Sequence, residues 1–480
     1  MKTAKAKTIS KTGDAALYYS TRSLCPVCHE LVPGQVVPKN QRIFMERTCP
    51  QHGFFEGLVC SDREWYERLP LFFTEGTKPR SPLKGALKGC PEDCGLCAAH
   101  QQVAGTLAIE ISNVCNGGCP ACLANNQNTF ELGVKDVEEA VGAALRNQVA
   151  IETVTLSGGE PTIHPQLFEI LAALRRPEVG RVAINSNGIR LAQDEEFVRR
   201  LAKEEKIFVS LHYDGQNSKA LRSVAPEVQA KAVRRLDSYG IAMAPVVLAA
   251  KGVNDKELGP IVEQLLLTYP SVKSVIVSLM AYTGSRGSKF PSDPMTRLTI
   301  PEALDNIQSS TGERIQKRHF MPLPMPNPMC AAIGYFLLMD GELTPLLPYG
   351  TIEEVIALTK NGHFGNLTPE FQRFIQDAIN DVFAQPDKYP NADRALDKFR
   401  RLFGFLFPQD GSLSHEERAA LAESHIRVVY LMQFMDAWTF DAKRMSRCSC
   451  QHALPGGKIV SSCGYYSYHR RFDPRFHMEG

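Results

Sequence analysis

The sequence predicts an α/β chain built around a partial (β/α)6 barrel. Three observations carry this expectation. Strand-like and helical segments alternate without interruption from about residue 104 to 280. Cysteines gather in tight groups before, within and after that stretch. The chain, at 480 residues, is also too long for one compact core, so flanking domains are expected. The expected order is an N-terminal metal-binding domain over residues 1–85 and a cysteine loop over 86–103. The barrel follows over 104–300, then a mostly helical domain with further cysteines over 301–480.

The barrel elements follow from periodicity. Strands are expected at 106–112, 152–157, 181–186, 207–213, 241–248 and 273–280. Helices are expected between them at 136–146, 166–176, 194–205, 226–239 and 255–269. Such alternation implies parallel strands joined by right-handed crossovers. In barrels of this kind the chemistry sits at the C-terminal ends of the strands. Three loops occupy that position in succession. They are the Cys115 loop, the turn Gly158-Gly159-Glu160-Pro161 and the turn Asn185-Ser186-Asn187-Gly188. They therefore converge on one mouth.

Composition narrows the function class. Lys+Arg 54 against Asp+Glu 52 leaves +2, which argues against nucleic-acid binding through bulk basic charge. The apolar runs at 241–250 and 331–339 are too short to cross a bilayer. The N-terminal MKTAKAKTISKTG is basic without a following apolar core, so it does not read as a secretory signal. What stands out is 14 cysteines. Most lie within four residues of another cysteine, a spacing that wraps metals better than it cross-links a chain. A disulfide framework would also need an oxidising compartment.

The cysteine groups differ in kind. Cys25, Cys28, Cys49 and Cys60 fall in knuckle-like turns around short strands, which suits a zinc ribbon or a rubredoxin-like iron. His52 is an alternative to Cys60 as fourth ligand. Cys90-x3-Cys94-x2-Cys97 and Cys115-x3-Cys119-x2-Cys122 share one spacing. Three thiolates from one tight loop suit a corner-capped iron–sulfur cluster and leave one iron open.

The Cys115-Cys119-Cys122 loop after the first strand, with GGEP after the second, resembles the radical S-adenosylmethionine (SAM) superfamily over about residues 104–290. The resemblance implies that Cys115, Cys119 and Cys122 hold a catalytic 4Fe-4S cluster whose open iron chelates SAM. One electron then cleaves SAM to methionine and a 5′-deoxyadenosyl radical that abstracts hydrogen from an unactivated carbon. It further implies that Gly158, Gly159 and Glu160 approach the methionyl amine. Asn185, Ser186 and Asn187 match the region contacting carboxylate and ribose. Leu248 (with Val247) and Met280 to Tyr282 match the adenine contacts. The family often has an aromatic residue where this chain has Ala121, and Leu123 is a substitute. The plainer reading of Asn185 and Ser186 is a helix N-cap, and of Asp214 a turn residue.

The whole cysteine order, with VNDKELG and the Cys330 segment NPMCAAIGYFL, resembles the tetraether lipid synthase group formerly described as pterin methyltransferases. That resemblance implies radical carbon–carbon coupling of lipid chains with two auxiliary 4Fe-4S clusters and one mononuclear Fe or Zn. Setting aside four N-terminal and three catalytic cysteines leaves seven, one fewer than two fully ligated clusters need. Either Cys90, Cys94 and Cys97 take Cys330, or Cys330 joins Cys448, Cys450 and Cys463. His100 and His452 are candidate non-cysteine ligands. A flavodoxin- or ferredoxin-like electron donor, a small-molecule or lipid substrate with peripheral membrane contact, no nucleic acid and a reducing cytoplasm complete the expectation.

Beyond residue 300, helices are expected at 301–313, 369–384, 393–406, 414–424 and 425–440. The last is apolar on most sides and reads as a buried core helix or a tunnel lining. The Pro/Met-rich segment 321–329 reads as a loop. CSCQHALPGGKIVSSC reads as a hairpin turning at Pro455-Gly456-Gly457. Three functions fit: carbon–carbon coupling of alkyl chains in a long dry tunnel, methylation or alkylation of a pterin-like heterocycle in a polar pocket, or non-catalytic electron carriage. Gly158 to Pro161 speak against the last.

Overall fold

The computed structural model describes residues 18–82, 85–124, 129–349, 352–360, 369–389, 392–408 and 412–476. The chain opens with a four-stranded antiparallel sheet of β1 (Ser20–Leu24), β2 (Leu31–Lys39), β3 (Arg42–Cys49) and β4 (Gly53–Cys60). Alternating burial along β2 and β3 turns Val36, Ile43 and Met45 inward, where they join the barrel's own core. The sheet therefore shares a core with the barrel.

The six expected barrel strands are present. They are β5 (Thr106–Ser112), β6 (Ile151–Gly158), β7 (Val179–Ser186), β8 (Ile207–Leu211), β9 (Val246–Ala249) and β10 (Ser274–Leu279). Crossover helices such as Val134–Leu145 and Pro226–Ser238 cover them. Strand β9 begins later than expected: residues 241–245 reach β8 and the 272 region only through isolated parallel bridges at Met243. Pro245 cannot donate to a ladder, which accounts for the late start.

The C-terminal part departs most from expectation. Helices at Pro369–Ala384, Ala392–Leu406 and His415–His425 are there. The expected helix at 425–440 is instead strand β14 (Ile426–Gln433), following β11 (Met321–Pro322), β12 (Ala331–Met339) and β13 (Glu342–Pro345). β14 runs parallel to β10 on one side and antiparallel to β12 on the other. A strand covered on both sides is apolar throughout, so periodicity cannot separate it from a buried helix. Its β-branched and aromatic residues Ile426, Val428, Val429 and Tyr430 favour the strand.

The expected hairpin forms as β15 (Cys450–Leu454) and β16 (Lys458–Ser461), turning through Pro455–Gly457. β15 lies parallel to β5. The partial barrel of six strands is thus extended at both edges, giving the parallel succession β15-β5-β6-β7-β8-β9-β10-β14, with the β8–β9 step made by isolated bridges. Its outer edges are covered by antiparallel β16 and β12.

A buried ion pair fastens this closure. Arg297 donates to both carboxylate oxygens of Asp436 at 2.8 and 3.1 Å, with side chains 2% and 0% exposed. Asp436 also accepts from the Tyr282 amide at 2.8 Å, just beyond β10. The N-terminal sheet is tied to the same segment: the Tyr19 and Thr21 hydroxyls donate to Asp441 at 2.6 and 2.7 Å. Among the described residues no helix is long and apolar enough to cross a membrane.

Candidate functional site

Strand β5 ends in the loop carrying Cys115, Cys119 and Cys122, and the three thiols face one cavity of about 320 Å³. The loop is shaped by its own sulfurs and by a neighbour. The Gly117 amide donates to Cys115 Sγ at 3.3 Å, and the Gly118 amide donates to Ser223 Oγ at 2.6 Å. Burial pushes the Cys115 thiol up to about 11, with smaller contributions from Glu160, Cys119 and Cys122. Such a thiol ionises readily only when a metal takes the charge. The set suits three corners of a 4Fe-4S cluster.

The glycines of the next turn have a reason other than the one the sequence suggests. Gly158 has φ +115°, and a Cβ there would stand 2.0 Å from the Ser112 carbonyl oxygen. A Cβ on Gly159 would stand 2.0 Å from the Val114 carbonyl oxygen. The Gly159 and Glu160 amides donate to those carbonyls at 2.7 and 2.9 Å. The glycines therefore let this turn lie flat against the cysteine loop.

Glu160 is 1% exposed. Its carboxylate accepts from Thr162 N and Oγ1 at 3.1 and 2.5 Å, Ser186 Oγ at 2.8 Å and the Asn187 amide at 2.7 Å. Burial raises its pKa, and these hydrogen bonds oppose the rise. Ser186 thus supports Glu160 and does not line the cavity, whereas Asn185 and Asn187 do. Asn187 also accepts from the Ile189 amide at 2.9 Å and donates to Asn116 at 2.8 Å. Leu248 lines the cavity. Met280 sits beside it in an apolar cluster with Ala121, Leu221, Tyr282 and Phe290.

Several lining residues carry no local sequence signal. Arg222 and His212 reach the mouth from the region after β8. Asp214, fully buried, accepts from Arg222 Nε at 3.1 Å and from the Leu248 amide at 2.6 Å. It is therefore a tie that aims Arg222, more than a turn residue. The shaft is lined by inward residues of every barrel strand, among them Ala108, Thr155, Ala183, Phe208, Val246 and Ile276. It reaches Thr106, Thr153, Ser274 and Val428, near the strand starts. Tyr430, Met432 and Phe434, expected on a helix, complete the wall.

The auxiliary cysteines resolve into two sets. Cys448 lies close enough to Cys463, Cys450 and Cys330 for each to oppose its ionisation, after burial itself. Cys330 therefore lies beside the C-terminal three in the fold. Three of their sulfurs are served by separate donors, while the Cys448 thiol itself donates to the Cys450 carbonyl at 2.8 Å. Arg444 Nη2 donates to Cys330 at 3.3 Å, the Met435 amide to Cys463 at 3.3 Å and Ser462 Oγ to Cys450 at 3.2 Å. Cys450 itself lines the central cavity. Cys90, Cys94 and Cys97 form the other set, and burial followed by its two neighbours pushes Cys90 up to about 12.

The two histidines considered as extra ligands are engaged elsewhere. His452 contacts Ser462 Oγ and the Tyr466 hydroxyl at 2.9 and 3.1 Å through its two nitrogens. His100 Nε2 contacts Gln451 Nε2 at 2.9 Å.

At the N-terminal site the geometry groups the three cysteines with His52, the alternative to Cys60. Cys25, Cys28, Cys49 and His52 offer ligand atoms within 4.8 Å of one another. His52 Nδ1 lies 3.5 Å from Cys49 and 3.7 Å from Cys25. Burial alone would raise the Cys49 thiol, but hydrogen bonds from His52 and neighbouring amides bring it down to about 6. Cys60 stands apart: its thiol donates to the Asp62 carbonyl at 3.2 Å, and burial pushes it up to about 12. Three thiolates and an imidazole suit a structural zinc. All fourteen cysteines are free of disulfides.

A parallel barrel whose first strand runs into a three-cysteine loop, packed on a glycine-glycine-glutamate turn, defines the radical SAM class of enzyme. Residues 109–265 match the Radical SAM superfamily, and residues 17–61 match the HMPTM N-terminal zinc ribbon domain. The chain carries both domains and is a radical SAM enzyme. It is 25% identical to a 7,8-dihydro-6-hydroxymethylpterin dimethyltransferase of Methanocaldococcus jannaschii, over 94% of each chain. It is 38% identical to a GTP 3′,8-cyclase of Klebsiella pneumoniae over 98 residues, 19% of this chain and 29% of that one. A radical SAM methyltransferase from Sphaerobacter thermophilus superposes with TM-score 0.33 at 16% identity, covering 58% of this chain and 74% of that one.

Proposed function

We propose that this enzyme removes hydrogen from unactivated carbons of alkyl or lipid chains and joins two such carbons. The observation that supports this is the lumen. One cavity follows the barrel strands from the Cys115 loop toward their starts, is apolar along most of its shaft, and is bordered by Cys450 of the auxiliary set. Its volume suits chain ends more than whole lipids.

In this reading Cys115, Cys119 and Cys122 hold the catalytic cluster. With SAM bound, that cluster supplies one-electron cleavage and a hydrogen-abstracting radical. Cys330, Cys448, Cys450 and Cys463 hold one auxiliary cluster, and Cys90, Cys94 and Cys97 hold the other. The chain's own residues do the positioning. Arg222, held by Asp214, offers a cation to a carboxylate at the mouth. Asn185 and Asn187 offer amides there, and Leu248, backed by Met280, offers an apolar wall. The shaft surrounds the reacting carbon mostly with apolar side chains, with threonine and serine hydroxyls among them.

The coupling balances as follows. Two C–H bonds break and one C–C bond forms. The two hydrogens leave in two molecules of 5′-deoxyadenosine, and two electrons come from a flavodoxin- or ferredoxin-like donor. A lipid substrate brings peripheral membrane contact, and the clusters require a reducing, low-oxygen cytoplasm.

The test is anaerobic incubation of the cluster-loaded protein with SAM, reductant and a lipid extract, with mass spectrometry of the products. The expected product has the mass of two chains less two hydrogens, with two 5′-deoxyadenosine per bond. Release of 5′-deoxyadenosine without any coupled chain, from extracts of several lipid classes, would overturn it. A second reading, alkylation of a pterin-like heterocycle, draws on the M. jannaschii relative and the polar mouth at Asn185, His212 and Arg222. A methyl gain on an added pterin would select it.

A further inference from the structure

The environment of Arg444 distinguishes the two auxiliary cysteine sets. Arg444 is 2% exposed. Its Nη2 donates to Cys330 Sγ and to the Gln433 carbonyl, both at 3.3 Å. Its Nε is buried and has no hydrogen-bond partner. A buried guanidinium with one donor on a thiol and another unused fits an acceptor that the protein itself does not provide. Asp441 is the nearby carboxylate, and it is already taken by Tyr19, Thr21 and the Lys443 amide.

Among the described residues no buried cation donates to a sulfur of the Cys90 set, although Arg22 lies near Cys90 and the exposed Lys458 near Cys94. Arg22 donates to the Cys90 carbonyl oxygen, not to a sulfur, and pairs with Glu92 at 2.8 Å on the surface. Its side chain is 37% exposed, so water screens it.

We propose that Arg444 is a positioning residue for the auxiliary cluster of Cys330, Cys448, Cys450 and Cys463. Its buried charge and unused Nε–H hold that cluster at a higher reduction potential than the Cys90 cluster. The inference rests on the auxiliary-cluster assignment above. Each 4Fe-4S cluster gains one electron on reduction and so becomes more negative. A buried cation donating to its sulfurs favours that reduced form, because cluster potentials follow net charge, hydrogen bonds and burial. The cluster bordering the substrate cavity is thereby the easier of the two to reduce.

The experiment is a dithionite titration of the cluster-loaded enzyme followed by electron paramagnetic resonance, without SAM, alongside iron and sulfide analysis. The signal missing from Cys463→Ala identifies this cluster. Iron for only one cluster in the wild-type protein would refute the auxiliary assignment itself, and the Arg444 question would fall with it. With all clusters loaded, Arg444→Gln is expected to lower the midpoint of this signal and leave the other two unmoved. Arg444→Lys, which keeps the charge, is expected to stay near wild type. An unmoved midpoint in fully loaded Arg444→Gln overturns the proposal, as does a wild-type midpoint below that of the Cys90 cluster. If Arg444→Gln loads less iron, Asp441→Asn decides. Removal of the opposing carboxylate should raise this midpoint alone, and no change overturns the proposal.

Discussion

Two cysteine centres border the same cavity, and they are built in opposite ways. Cys115, Cys119 and Cys122 come from one eight-residue loop at the end of β5, shaped by glycine amides and Ser223. Cys330, Cys448, Cys450 and Cys463 come from three separated segments, and a buried cation serves one of their sulfurs. The first set has three thiols at an open mouth, which leaves room for a fourth ligand that is not protein. The second has four, three of which accept a hydrogen bond from the surrounding protein. The difference teaches that thiol count and access separate the two centres: on the proposed reading the first stays open to a reagent, and the second closes as part of the chamber wall.

The sharpest way to break this contrast is to delete one thiol from each. Cys119→Ala should reduce 5′-deoxyadenosine release to the level without enzyme while the auxiliary signals persist. Cys463→Ala should keep SAM cleavage but lose the coupled product. Loss of SAM cleavage in both variants, with iron retained at the catalytic loop, would erase the distinction.

The second centre depends on long-range closure, so it should be the more sensitive to a distant clasp. Arg297→Met leaves Asp436 buried without its cation and should cost about 3–5 kcal/mol. Thermal unfolding measures this, and the C-terminal cluster's signal should broaden before the catalytic one does. The first centre depends on close local contact. Gly159→Ala puts a methyl 2.0 Å from the Val114 carbonyl oxygen. It should cost on the order of 2–3 kcal/mol and impair assembly of the catalytic cluster. Denaturant unfolding and cluster content check it.

The smallest expected effect concerns pH and the wall behind β12. His319 is 5% exposed and its Nδ1 accepts from the Gln316 amide at 3.0 Å. Burial, aided by Arg318, lowers it to about 4. It stays neutral in the fold and takes up a proton on unfolding. Its contribution is therefore full above the ordinary histidine value and is lost as pH falls from about 6.5 toward 4. By pH 5 the loss is as much as about 2 kcal/mol. His319→Gln should flatten the fall in stability between pH 7 and pH 5. Parallel pH profiles for the two proteins would show that His319 does not titrate on unfolding.

The strand–helix alternation and the Cys115 loop were legible because both are local. Parallel strands joined by crossovers leave a periodic trace, and three ligands in one loop leave a fixed spacing. GGEP was legible as a motif, but its glycines answer to Ser112 and Val114, residues more than forty positions away in the chain. Cys60 shows the same limit: spacing left it and His52 as alternatives, and only the fold sets His52, not Cys60, beside Cys25, Cys28 and Cys49.

By itself, then, the sequence determined the barrel, the metal-binding knuckles of the N-terminal sheet and the three-thiol loop, since each depends on residues near one another along the chain. Tertiary structure alone decided the rest. It made 426–433 a strand, because only neighbours on both sides tell a buried strand from a buried helix. It brought Cys330 to Cys448, Cys450 and Cys463, because β12 and β14 pair and β15 docks on β5. It also made one chamber out of eight strands, since a lumen exists only once residues far apart in sequence face each other across it.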